Sequence, residues 1–446
     1  MAEGDMSRLR FEFDWQDPRG ARGPEIRATW ALLKIYVDDI AVTRIYDPLG
    51  RSHREAVFGP LYPLAEWIAT HWWFLVSEVE CPRTERHATY AERHSMLYAR
   101  EGYALPDLEI CPAGDETLLR WRSTRQYRSR VRFGESGSAV LDAEEVREAL
   151  AGLVATVKRR LDGQGIEGTL LQEEWEAIDE ADDEERDFCK RVGAMGLDPY
   201  ALDDDRRALV LTIHESLPMS LAEDFFHLSD ADRLKPCRDF LLGVLEDIRH
   251  LDTPIPELIR LREEAPRIGV TPSRPWQQGC AFARDLRCLL GLNGQPLSDM
   301  EGIARSLRIE PGLLRRAMLD AKEPPLPIDG LQGPSPDGSP GFLIAGRSET
   351  SRRFTFCRSL FEYLTAPAPD SPTLISPARS DRQKRNRAFA AEFLAPAREI
   401  GHRLVGTTVD EEEIAELADG FGVSPWVVTY QIRNNELATV VPAYMD

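Results

Sequence analysis

The stretch from Arg353 to Leu364 constrains this chain more than any other. Cys357, Leu360, Phe361 and Leu364 fall at i, i+3, i+4 and i+7, a spacing that predicts a short helix with one apolar face. Arg358 and Glu362 are four residues apart, so they sit together on another face of the same helix.

Length and charge bound what surrounds that helix. A chain of 446 residues holds two or three domains, each able to bury a core. A formal charge of −20 argues against a general nucleic-acid binder, which needs a cationic surface facing phosphates, although a local basic patch is compatible with it. The N-terminus lacks the apolar core of a signal peptide, and no apolar run is long enough to span a bilayer. The seven cysteines are scattered and never in C-x-x-C, which suits reduced, mostly buried thiols in a cytoplasmic protein.

Three regions are expected along the chain, giving an α+β fold. Residues 1–141 read as a β-rich N-terminal domain, with strand formers over Ala28 to Val37 and Ile40 to Tyr46. Turns are expected at 38–39 and 47–50, and further strands at 118–121 and 129–133. Within it a helix opens at Pro63, and Trp67, Trp72, Trp73 and Phe74 read as core. Residues 142–268 read as a helical, acidic middle region that starts at an Asp142/Glu145 capping box. Its run of acids from Glu173 to Asp187 reads as a solvated helix face, with docking of a basic partner as the sharper alternative. Residues 269–446 read as a mainly helical C-terminal domain with helices over 300–307, 311–319 and 382–394 and a closing pair over 411–419 and 424–434. That pair has helix-turn-helix spacing, but Trp426, Val427, Val428 and Ile432 make its second helix look built for packing.

Four segments of the C-terminal region, in order, resemble the ImmA/IrrE family of zinc metallopeptidases. They are Pro275 to Gly279 with Ala283 to Arg287; Arg353 to Cys357; Phe389 to Pro396, similar to the family's F-A-A-E-L-L-M-P; and Ile414 to Ala418 leading to Phe421 to Ser424. The resemblance covers roughly 270 to 440 and implies a zincin-like, mainly helical domain. Residues 1–268 carry no such resemblance. The family's zinc helix bears H-E-x-x-H; by this match Arg358 and Glu362 take the positions of its two histidines and Ser359 that of the glutamate that activates water. The third-ligand neighbourhood reads Gln383-Lys384-Arg385-Asn386-Arg387. Zinc needs three lone-pair ligands and an open position, and arginine offers no lone pair.

The resemblance with these departures implies a catalytically inactive, cytoplasmic, bacterial protein with no cofactor, acting through a protein partner in regulation, stress response or phage defence. The Arg358–Glu362 pair, together with Glu392, is expected to fill the vacated site. Two alternatives stay open: a hydrolase with unrecognised metal ligands, and a DNA-binding regulator using the basic cluster Arg379, Arg382, Lys384, Arg385 and Arg387. His214-Glu215 lacks the second histidine of a metal motif, and Cys357 with His402 reads as a buried thiol rather than a nucleophile with its base. No membrane partner is expected, and the sequence leaves the oligomeric state open.

Overall fold

The structure, a computed structural model, describes residues 8–18, 23–47, 51–123, 131–265, 274–292, 294–321 and 323–441. The turn expected at 48–50, residues 129–130 of an expected strand and the boundary expected near 268 lie outside them. The chain divides into two compact units, Met1–Leu211 and Thr212–Asp446. The helical middle region is therefore shared between them rather than standing alone.

The N-terminal unit carries three small sheets and a helical shell. In the first sheet β1 (Leu9–Trp15) runs antiparallel to β2 (Trp30–Val37), which pairs along its other edge with β3 (Ile40–Ala41) and β6 (Val57–Pro60). Between β1 and β2 lies the short helix α1 (Pro24–Ala28). β4 (Ile45–Asp47) joins β5 (Ser52–Arg54) and β9 (Arg132–Phe133), so the strand expected over Ile40 to Tyr46 is broken into two. The third sheet has the order β10 (Gly137–Asp142), β8 (Glu116–Arg122), β7 (Asp107–Pro112).

α2 (Tyr62–Thr70) and α3 (Trp72–Ser77) bury Trp67, Trp72, Trp73 and Phe74, as their apolar spacing implies. α4 (Tyr90–His94) follows. Asp142 caps α5 (Ala143–Asp162) by accepting from the backbone N–H groups of Glu144 and Glu145. The acids from Glu173 to Asp187 lie mostly on exposed faces of α6 (Leu170–Glu180) and α7 (Asp183–Ala194), whose other faces bury Trp175, Ile178, Phe188 and Val192. α8 (Asp204–Ser216) crosses from one unit into the next.

The second unit begins with α9 (Met219–Leu228), α10 (Leu234–Arg249) and α11 (Pro256–Glu264), followed by α12 (Pro275–Leu289), α13 (Met300–Ser306) and α14 (Pro311–Arg316). The single helix expected over 311–319 stops at Arg316, because Met318 to Asp320 pair in parallel with a strand as β11 (Met318–Asp320). That strand belongs to a sheet of order β11, β13 (Pro340–Ile344), β12 (Gly330–Pro334), β14 (Thr373–Ile375).

α15 (Glu349–Thr365) packs on one face of this sheet and α10 on the other. The alternation of side chains along a strand shows it: a Cβ on Gly330 would meet Thr355 of α15, and one on Gly333 would meet Leu245 of α10. α16 (Asp381–Leu394) lies against α15, and α12 against α16. The last contact is close because Gly279 has no Cβ; one there would stand 2.2 Å from the Arg385 carbonyl oxygen. α17 (Ala397–Arg403) leads to α18 (Glu411–Phe421) and α19 (Pro425–Asn434), with Gly422 at φ 64° ending α18 in the left-handed conformation. A two-stranded parallel ladder of β15 (Thr408–Val409) and β16 (Thr439–Val440) ties the tail back.

Two expectations about single helices need correction. In α15 burial extends beyond the expected apolar face: from Thr355 to Leu364 every residue is buried, Arg358, Ser359 and Glu362 included. In α19 Val428 and Ile432 pack inward, but Trp426 is 68% exposed and Tyr430 55% exposed. Their rings lie 6.3 Å apart on the outer face.

Candidate functional site

Where the resemblance would set a metal, the structure has a buried polar network built on Arg358. Its guanidinium projects from the middle of α15 between the sheet and α16. Nε donates to Asn386 Oδ1 at 2.7 Å and Nη1 to Asp329 Oδ2 at 2.7 Å. Nη2 donates to the Ser376 carbonyl at 2.6 Å and to Gln383 Oε1 at 2.7 Å. Asp329 precedes β12 and Ser376 follows β14, so one side chain ties two strand ends to two helices. Arg358 is 3% exposed, and burial of a guanidinium is tolerable only when its donors are met this fully.

Glu362 lies one turn further along α15 and does not bond Arg358 directly. Asn386 stands between them: its Oδ1 accepts from Arg358 and its Nδ2 donates to Glu362 Oε1 at 2.8 Å. Arg382 Nε approaches the other oxygen at 4.0 Å. Burial pushes the Glu362 carboxyl up to about 7, against the opposing pull of Asn386, Arg385 and Arg358. The direct ion pair expected from the four-residue spacing is thus a bridged pair. Ser359 turns its hydroxyl back to the Thr355 carbonyl at 3.1 Å and takes no part.

Glu392 belongs elsewhere, contrary to the expectation that it completes this network. It accepts from Arg284 Nε at 2.9 Å, from Gln431 Nε2 at 2.7 Å and from the Ala397 N–H at 3.1 Å. It therefore joins α12, α16, α19 and the start of α17. Nearby, Arg287 donates to the carbonyls of Phe393, Leu292 and Gln295. Two of the four quoted segments, the first and the third, meet in this clamp.

The basic cluster is not an open cationic face. Arg382 forms an ion pair with Asp224 of α9 and reaches the Ser220 and Leu374 carbonyls at 3.4 Å. Arg387 donates to the carbonyls of Ser376 and Ala378 at 3.3 and 2.8 Å, and Lys384 meets Asp381 at 3.3 Å. Arg385 stays half-buried between α12 and the network, with its Nε unpartnered. α9 is itself an unforeseen part of the site: Asp224 also accepts from Gln383 Nε2 at 3.1 Å, and α9 packs along β14. No local signal marks Asp224, because the partners that bury it are more than a hundred residues away.

These residues do not fit zinc. Arg358 presents only donors, Ser359 is turned away, and Asn386 Nδ2 donates to Glu362 and Gln383. Among the described residues no three His, Cys, Asp or Glu side chains converge as a metal-binding group. Cys357 is wholly buried and its thiol is pushed up to about 12 by that burial, while His402 lies exposed beside Glu399. His214 sits near the end of α8 with its ring 6.4 Å from that of Phe226.

The N-terminal unit holds a second buried charge cluster that the sequence did not reveal. Glu78 accepts from Arg93 at 2.6 and 2.5 Å and from His94 Nε2 at 3.1 Å, and His94 Nδ1 bonds the Ile110 carbonyl at 2.7 Å. Burial would raise Glu78, but these partners outweigh it and leave the carboxyl below its usual range. With every group matched, the cluster cross-links α3, α4 and β7.

Comparison with known protein families and with curated proteins finds no match to this chain. Among the described residues no helix is long and apolar enough to cross a membrane.

Proposed function

We infer that this is a non-catalytic interaction or regulatory protein whose C-terminal unit keeps a metallopeptidase-like core without the chemistry. The observation that carries the reading is the Arg358 network. A guanidinium stands at the position that the resemblance assigns to the first metal ligand, and four acceptors from three segments hold it there. A site arranged this way does not support the family's route, in which a bound metal polarises the carbonyl and lowers the pKa of a water, because arginine offers that metal no lone pair. α9 also covers the neighbouring strand β14, where an extended peptide would add to the sheet.

The exposed Trp426–Tyr430 pair supports the interaction reading, since large aromatic rings left uncovered at a helix face are common at protein interfaces. DNA reading has less support, because Arg382 and Arg387 spend donors inside the unit. A cytoplasmic, bacterial regulatory or phage-defence setting follows from the family resemblance alone.

The test has two arms. Purified protein with added zinc is incubated with casein, with and without a chelator; no chelator-sensitive cleavage is expected. Cleavage that a chelator and Glu362→Gln both abolish overturns the reading. In the second arm, proteins retained from the native host are compared between wild type and a Trp426→Ser, Tyr430→Ser double variant. A specific partner lost in the double variant, with unchanged circular dichroism, is the expected result.

A further inference from the structure

The outer face of the first sheet holds a half-open cavity of about 500 Å³, within the size range of small-ligand sites. Its walls follow from strand alternation. On β2, Ala31, Leu33, Ile35 and Val37 point into the core, so Leu32 and Lys34 point outward. β6 sets Phe58 opposite Leu32 in the ladder. Ile45, Val57, Ala104 and Val131 complete the apolar lining. Phe58 is 54% exposed and Leu32 36% exposed, so the floor is exposed apolar surface. The Phe58 ring is held in place edge-on against Trp30, with centroids 5.4 Å apart.

The charges around this floor are unequal. Lys34 and Arg54 line the cavity with one carboxylate, Glu55. The Glu55 carboxylate accepts from the Tyr36 hydroxyl at 3.4 Å. Glu12 stands opposite Lys34 in the ladder, yet among the described residues the structure gives Lys34 no ion pair or hydrogen bond. A half-buried ammonium beside apolar walls is a site for the head of an anion whose body is apolar.

We propose that this cavity binds a small amphipathic anion, an apolar chain or ring system ending in one carboxylate, with Lys34 holding the head and Leu32 and Phe58 the body. The apolar body supplies burial, and the Lys34 ammonium, beside Leu32 on the same strand, supplies orientation. This site lies wholly within the N-terminal unit and is independent of the Arg358 network.

Decanoate and decanol, which differ in the head alone, are the probes for calorimetric titration of the full chain. Decanoate is expected to bind at one site per chain, at least about tenfold tighter than decanol, as one charge-assisted hydrogen bond implies. Lys34→Gln should remove that preference and leave decanol binding as it was. Ala56→Trp, which fills the cavity from its wall, should abolish binding of both while circular dichroism stays unchanged. No binding by wild type, equal binding of the two probes, or decanoate binding untouched by Ala56→Trp overturns the proposal.

Discussion

Replacing Glu362 by Gln isolates the effect of burying a carboxyl group between α15 and α16. In the folded chain burial holds this group up from 4.5 to about 7, so the fold keeps a proton that the unfolded chain gives up. The folded value is the higher one. Its contribution is therefore fully present below the unfolded value and is lost as pH rises through the folded value. Across that window each pH unit removes up to about 1.4 kcal/mol, giving about 3 kcal/mol in all. Glutamine stays neutral throughout and still accepts from Asn386 Nδ2, which bonds Glu362 at 2.8 Å in the wild type. Urea unfolding of both proteins between about pH 4 and about pH 8 measures the difference, with other titrating groups cancelling. The stability of Glu362→Gln relative to wild type should climb by about 3 kcal/mol over that range. A difference that stays flat, or a variant that is the less stable at the alkaline end, refutes the reasoning, because the carboxylate would then be charged and paired.

Other substitutions test the packing around this network. Arg358→Met keeps the volume but takes one donor each from Asn386, Gln383, Asp329 and the Ser376 carbonyl, and should cost about 3–5 kcal/mol by denaturant unfolding. Gly279→Ala sets a methyl group against the Arg385 carbonyl, a backbone atom that cannot swing away, and should destabilise by about 1–3 kcal/mol. Gly243→Ala, on α10 with nothing within 4 Å of a new Cβ, should stabilise by up to about 1 kcal/mol, which separates a steric effect from a helix-propensity effect in the same unit.

The α+β division, the aromatic core around Trp67 and Trp73, the Asp142 cap and the helix after Ser380 were legible because each rests on local spacing or a local cap. The surroundings of α15 were not. Arg358 and Glu362 read as a direct pair on one polar face, because a sequence pattern cannot show that Asp329, Ser376, Gln383 and Asn386 return from other segments to meet them. The end of helix α14 was misplaced for a related reason: Met318 suits the helical spacing of Leu313 and Leu314, and pairing with Phe342 on a distant strand overrides it. Trp426 was assigned to packing on residue type alone, whereas α19 turns Val428 and Ile432 inward instead. The basic cluster after Arg379 looked like a surface feature until Asp224, 159 residues before Gln383, was seen to lie against it.

Metal content tests most directly the proposal that a guanidinium network stands where the resemblance would set a metal. The full chain is purified without chelator, equilibrated with zinc, desalted and analysed by mass spectrometry alongside Glu362→Gln. The account predicts no stoichiometric zinc in either protein. One zinc per wild-type chain that Glu362→Gln loses would contradict it.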